Sequence, residues 1–268
     1  MQIQNLSEER FPMKNSTIRS KFYNSIIKLA AIFFWLLIWH VISATVDMQI
    51  LLPSPILVFK KLVQLASTER YWISVSLSFA KIIFGILSGT VIALIFAILT
   101  AKVNIFNHLF SLPLNVIKST PVASFIIMAL VWVKSASLAA FVTAVMVLPI
   151  VWSNMHEGIS TVDTKLIEVG KCYNFTYKKT VRYIYLPHIR PFFVSAITSA
   201  AGLGWKAGIA AEVIASPKNA IGAYLNDAKV YLETEEMFAW TITIIFLSIA
   251  VQYLLKFLTQ RYLGRGRV

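Results

Sequence analysis

Charge is what this chain has least of. Only 14% of its 268 residues are Asp, Glu, Lys or Arg, against roughly 25% in an ordinary soluble domain. Cysteine occurs once, at Cys172, so no disulfide can close within the chain. The four histidines, His40, His108, His156 and His188, stand far apart, and no His-Glu-x-x-His or Cys–His cluster is present. The usual metal spacings are therefore excluded. No Gly-x-x-x-x-Gly-Lys-Ser/Thr phosphate loop occurs, so the chain is expected to hydrolyse no nucleotide itself. No cofactor, internal repeat, low-complexity tract or soluble domain is expected. The N-terminal stretch is polar and basic, and no small-residue cleavage signature follows the first apolar run, so no cleavable signal peptide is expected.

What the chain has in abundance is apolar residues, 57% of the total, gathered into long runs. A hydrocarbon core of roughly 30 Å needs about 20 mostly apolar residues per helical span. Six runs qualify: 25–44, 73–100, 110–133, 137–155, 192–215 and 238–258. They are too long and continuous for barrel strands, which alternate over about 10 residues. The expected fold is therefore all-α and integral to the membrane, with a domain over 25–260 between an N-terminal segment 1–24 and a tail 261–268. The third run carries Pro113, Lys118 and Pro121. It predicts a short helix, a bend and a re-entering segment.

The net charge of +13 sits between apolar runs and forms no solvated patch, which points to membrane topology and away from nucleic acid. With the N-terminus inside, seventeen Lys and Arg fall on one side and six on the other, with Lys81 and Lys206 inside spans. That excess predicts cytoplasmic termini. The acidic loop 226–236, with Asp227, Glu233, Glu235 and Glu236, falls on the opposite side. Trp35, Trp72, Trp132 and Trp240 lie near span ends, where interfacial aromatics are expected. Segment 51–67 opens Leu-Pro-Ser-Pro and continues with apolar residues at Ile56, Phe59, Leu62, Val63 and Leu65. It reads as a short amphipathic helix at the outer interface or, equally, as a solvated loop helix.

The longest hydrophilic connection on the basic side is 157–190. Structured loops of that length usually have a job. Asp163 is expected to cap a first helix that runs to about Tyr173. Asn174 suits a left-handed ending, because Asn tolerates positive φ. Thr176 is expected to cap a second helix to about Tyr185, and Pro187 to stop it, since Leu186 before proline disfavours helix. Val181, Ile184 and Tyr185 share a face with Lys178, Lys179 and Arg182 around it. Such an elbow suits docking into a groove on a soluble partner.

Glu168-Val169-Gly170-Lys171-Cys172-Tyr173-Asn174, followed by Ile184-Tyr185-Leu186-Pro187, resembles the Glu-Ala-Ala…Gly…Leu-Pro loop of ABC importer permeases. Glu168 matches the acidic position and Leu186-Pro187 the ending. Gly170 replaces the usual second Ala, and Asn174 the usual Gly. Other segments resemble the nitrate/taurine/aliphatic-sulfonate type: Leu52-Pro53-Ser54-Pro55, Lys118-Ser119-Thr120-Pro121, Gly202-Leu203-Gly204-Trp205-Lys206, Ala211-Glu212-Val213 and Ile221-Gly222. The likeness covers about 51–261. Its usual Trp-Phe-Gly-x-Gly reads Trp132-Val133-Lys134-Ser135-Ala136 here, a departure at one outer turn. The resemblance implies a type I ABC importer permease fold in the bacterial inner (cytoplasmic) membrane. It also implies a cytoplasmic ATP-binding subunit seated on the loop 157–190, an extracellular or periplasmic solute-binding protein, and a second permease copy. The transported solute would be small and polar or anionic, such as a nitrate, sulfonate, taurine or thiamin-precursor pyrimidine.

Charges within spans usually face a bundle interior or water. Lys81, Lys206 and Glu212 are the cases here. Glu212 is open to two readings, a buried hydrogen-bonded or ionic tie, with Lys81 the better-placed partner, or a group on the translocation path. Six residues apart, Lys206 and Glu212 lie on opposite faces of one helix. Gly202, Gly204 and Gly208 are spaced for close helix approach or for a hinge. Trp205 either closes the path or packs, and Pro121 either bends a helix or touches solute. An ion-coupled secondary carrier is the rival function. It calls for symmetric halves or paired broken helices, which the sequence does not display. An intramembrane enzyme would need a nucleophile–base pair, and none is spaced for it.

Overall fold

Helices make up all the regular structure among the described residues, 16–46, 48 and 50–263 of a computed structural model. Arg10, Lys14, Arg265 and Arg267, which contribute to the topology count, lie outside these residues, as do most of segment 1–24 and the end of the tail 261–268. The chain divides into two compact units, Met1–Val58 and Phe59–Val268.

In the first unit, α1 (Ser16–Val46) contains the run expected at 25–44. Beyond it a turn is closed by the Ser43 hydroxyl, which donates to the Leu52 carbonyl at 2.8 Å. The next helix, α2 (Pro55–Ala66), continues across the unit boundary. Ser54 accepts from the Leu57 N–H at 3.4 Å, and proline in the first turn forfeits no helical hydrogen bond. Ile56, Phe59 and Val63 form an exposed apolar row on α2 beside exposed Lys60.

The second unit contains α3 (Glu69–Lys102), α4 (Asn104–Ser119), α5 (Val122–Ala129), α6 (Ser135–Ser160), α7 (Thr164–Cys172), α8 (Tyr177–Thr180), α9 (Leu186–Ala215), α10 (Ile221–Val230) and α11 (Thr234–Leu263). Among the described residues, α1, α3, α6 and α11 are long and apolar enough to cross a membrane. The pair α4–α5 passes the same test as one bent unit, with a 105° turn. The bend falls at Thr120, whose ψ of 130° is the extended conformation favoured before proline. Pro113 makes no break and stays inside α4. At 30 residues α9 is long enough to span, but Ser195, Thr198, Ser199, Gly202, Gly204 and Lys206 dilute its apolarity.

Small residues determine how these helices meet. Lipid tails are as apolar as leucine, so helices in a bilayer associate through close van der Waals contact and not through hydrophobic driving force. A Cβ on Gly85 would lie 2.5 Å from the Ala140 carbonyl oxygen, and one on Gly89 the same distance from that of Ala144. The rising register on both helices makes α3 and α6 parallel. The bent pair α4–α5 therefore returns the chain across the same thickness. On α9, a Gly204 Cβ would meet Val147 at 2.8 Å and a Gly208 Cβ would meet Thr143 at 2.6 Å. This falling register sets α9 antiparallel to α6. Gly202 has room, its nearest neighbour being Gln252 at 3.7 Å. Ile82, Ile86, Val147, Val151, Ala200 and Trp205 fill the seam.

Two expectations are corrected here. Trp240 faces the protein interior and not its surroundings: it is 2% exposed, stacked between Tyr71 at 5.1 Å and Tyr224 at 5.5 Å. The segment 226–236 is not a plain loop, since its first half belongs to α10. Tyr224, one turn inside α10, draws that helix onto the aromatic stack.

Candidate functional site

The elbow between α6 and α9 is built almost wholly from local interactions. The Asp163 carboxylate accepts from the Lys165 N–H at 2.8 Å and starts α7. The helix ends in a Schellman turn. There the Phe175 N–H reaches the Gly170 carbonyl at 2.8 Å and the Asn174 N–H reaches Lys171 at 3.0 Å. Asn174 adopts φ 53°, the left-handed ending expected of it. Thr176 occupies the cap position of α8, but its hydroxyl makes no capping bond. Gly170 is buried where the two arms touch. A Cβ there would sit 3.1 Å from the Ile184 δ-methyl. Val181, Ile184 and Tyr185 are half-buried on this inner side.

Pro187 does not stop the second arm. Residues Val181–Tyr185 form a π-turn that leads directly into α9, and the Leu186 N–H bonds five residues back to Val181. Leu186 is helical, with φ −61° and ψ −43°. Proline is tolerated because it falls in the first turn of α9, where its missing N–H leaves little unpaired, and because the π-turn shifts the preceding hydrogen-bond register. The elbow's second arm and α9 are thus one continuous helical rod.

The outer side of the elbow presents Leu166 and Val169, each 51% exposed, and Tyr173, 75% exposed. These positions recur on one face of α7. Glu168 and Cys172 are exposed on the same short helix, and Glu168 makes no ion pair among the described residues.

The other end of α9 is built the opposite way. Glu212 is 0% exposed. Its Oε2 accepts from the Ser78 hydroxyl at 2.7 Å and from the Gly222 N–H at 3.3 Å. The same Ser78 oxygen accepts the Ile221 N–H at 3.0 Å. The first N–H groups of a helix have no partner within it, and α10 has no side-chain cap of its own. Glu212 and Ser78, from two other helices, supply the missing acceptors. A carboxylate is also favoured at a helix N-terminus by the peptide dipoles. Gly222 makes the approach possible: a Cβ on it would collide with Glu212 Cβ and lie 2.5 Å from the Val213 nitrogen. Among the described residues Lys81 makes no ion pair with Glu212, whose direct partners are Ser78 and Gly222.

The remaining predicted residues are not gathered with Glu212. Lys206 is exposed on the other side of α9, in line with Leu203 and Ile214. Trp205 is 1% exposed against Phe79, with ring centroids 6.3 Å apart. Pro121 lines a recess of about 660 Å³ at the α4–α5 bend with Ser111, Asn115, Ser119 and Thr120. Sequence reasoning passed over Ser78, Gly85 and Gly89. The four-residue glycine spacing in α3 was the available signal for the last two. Beside α10, the Lys61 ammonium lies 3.0 Å from the Glu236 carboxylate, which holds the lysine above its usual range. Arg70 lies over the Tyr224 ring at 3.9 Å.

Residues 89–265 match the family described as binding-protein-dependent transport system inner membrane component. Over 89 residues the chain is 29% identical to a Bacillus subtilis (strain 168) protein provisionally named aliphatic sulfonates transport permease protein SsuC. The match covers 33% of this chain and 32% of that protein, so the chain spans about a third of the length of the curated relative it matches.

Proposed function

The chain belongs to the binding-protein-dependent transport system inner membrane components, the permeases of ABC importers, and on that premise we propose that the elbow formed by α7, α8 and the π-turn is its seat for a separate ATP-binding subunit. The outward row of Leu166, Val169 and Tyr173 carries this reading, with Glu168 exposed on another face of the same helix. A membrane protein gains nothing for its own fold from large apolar groups held out on a rigid, capped turn, whereas a groove on a partner would bury them. The elbow also contains the Glu168…Leu186-Pro187 pattern and lies within the matched residues.

In this reading the chain crosses the membrane six times, with α9 as the fifth crossing, and both termini lie in the cytoplasm with the elbow. Two permease copies enclose the path, and a solute-binding protein delivers solute on the opposite side. Lys206, Trp205, Lys81 and Pro121 are the residues proposed at or near the path. Lys206 has the best case, because an ammonium exposed on a spanning helix is costly against lipid and is accommodated in a water-filled passage. A cationic path suits a small anion, and the sulfonate named for the relative is the first solute to try.

The test is co-purification of the full chain with its ATP-binding subunit, comparing wild type with Glu168→Lys. Capture by wild type and loss in the variant is the expected result. If intact wild-type protein captures no ATPase, the importer assignment of the elbow is wrong and an ion-coupled carrier becomes the better account.

A further inference from the structure

The elbow and α10 stand at opposite ends of α9, and one helix joins them. From the π-turn onward the chain is helical without a break to Ala215. Thirty residues at about 1.5 Å each make a rod of about 45 Å. At its far end the connection to α10 is not a simple loop contact. Ser216 and Asn219 in the turn, and Leu232 just beyond α10, all adopt positive φ, at 41°, 55° and 59°. So α10 is bounded on both sides by left-handed residues at which the backbone changes direction. Between those points its N-terminus is held by the Glu212 carboxylate from α9 and the Ser78 hydroxyl from α3. Gly222 brings the backbones of α9 and α10 into direct contact. The second oxygen of Glu212 is buried without a hydrogen-bond partner among the described residues.

We infer that Glu212 and Ser78 are positioning residues for transport: they clasp α10 to the far end of α9, so that a displacement of the elbow is relayed along α9 to α10. The inference rests on the elbow being the ATPase seat. Glu212 is then no solute-binding group. Its carboxylate ties the moving rod to α10, and Ser78, bonded to both Glu212 and the Ile221 N–H, completes that tie. Because Ile221, Gly222 and Tyr224 are buried, α10 cannot shift alone without exposing them. While the clasp is intact, α10 follows the end of α9.

The experiment uses the complex of this chain with its ATP-binding subunit in nanodiscs. Exposed Cys172 is replaced by Ser, and spin labels are placed at Lys229→Cys on α10 and Ala136→Cys at the start of α6. A non-hydrolysable ATP analogue is the probe. The analogue should shift the label distance in the parent. Ser78→Ala and Glu212→Ala should capture the ATPase normally yet show a shift at least threefold smaller, and Glu212→Gln, which keeps an acceptor oxygen, should restore it. A full shift in both alanine variants, or no shift in the parent with ATPase bound, overturns the inference alone. Loss of ATPase capture in Ser78→Ala would make the clasp a general folding element and also overturn it. Failure of the parent itself to capture the ATPase overturns the importer reading and this inference together.

Discussion

The elbow that leads into α9 and the far end of α9 each carry a glutamate, one on α7 and one on α9 itself, and the two are held in opposite ways. At the elbow end Glu168 is exposed and makes no ion pair among the described residues, on a helix whose cap, Schellman turn and inner contacts are complete without it. At the far end Glu212 is buried, and two helices lose hydrogen bonds if it is removed. A buried carboxylate persists only when bonded, so Glu212 belongs to the architecture of this chain. An exposed one on an already complete turn is available to another molecule. The same side chain type is thus left free at the surface in one place and tied into the packing in the other.

The sharpest way to break this contrast is Glu212→Ala. It strands the Ser78 hydroxyl and the Gly222 N–H, each costing about 1–3 kcal/mol when buried and unpaired. Stability in detergent should fall by about 3 kcal/mol, read by denaturant or thermal unfolding. Wild-type stability would remove the structural role of Glu212. Next in size is Gly222→Ala, whose methyl group must push α10 off the α9 backbone. Overpacking of this kind costs about 1–3 kcal/mol, and hydrogen exchange should quicken first in α10.

At the elbow the effects shrink. Asn174→Ala keeps the left-handed φ but loses the residue type that tolerates it, at about 1 kcal/mol, seen as faster exchange of the α7 amides. Asn174→Gly should be neutral or stabilising. Glu168→Lys should change stability by less than about 0.5 kcal/mol, as exposed substitutions usually do, while abolishing ATPase capture. A large loss of stability there would erase the distinction between the two ends.

The smallest effect concerns pH. Glu236 raises the Lys61 pKa, so the pair's contribution is complete below the ordinary lysine value and is lost only as pH rises through the raised one. Between about pH 6, above which the Glu236 carboxylate stays ionised, and about pH 10, stability should therefore show no dependence on this pair. Lys61→Met should cost no more than about 1 kcal/mol. A wild-type transition near neutral pH that Lys61→Met abolishes would contradict the assignment.

Much of this was legible in residue order. The apolar runs located α1, α3, α6 and α11 because length and hydropathy are additive along a chain. Asp163 and Asn174 announced the elbow because a cap and a Schellman turn involve partners within five residues. The bend at Pro121 was legible for the same reason. Pro187 misled, since the rule that a proline ends a helix does not consider whether the next helix starts at that residue. Trp240 misled because nearness to a span end does not reveal a Tyr71 and a Tyr224 waiting on either side.

Residue order by itself therefore determined the helical membrane architecture and the shape of the elbow, both products of composition and short-range bonding. Only the tertiary structure decided that α8 runs on into α9, that α10 exists as a docked helix, and that Glu212 is a clasp. Those outcomes depend on Ser78 meeting Glu212 across 134 residues of chain and on Ile221 reaching Ser78 across 143. They also depend on glycines whose missing Cβ matters only when another backbone arrives. Such pairings arise from how helices pack, and no local pattern records them.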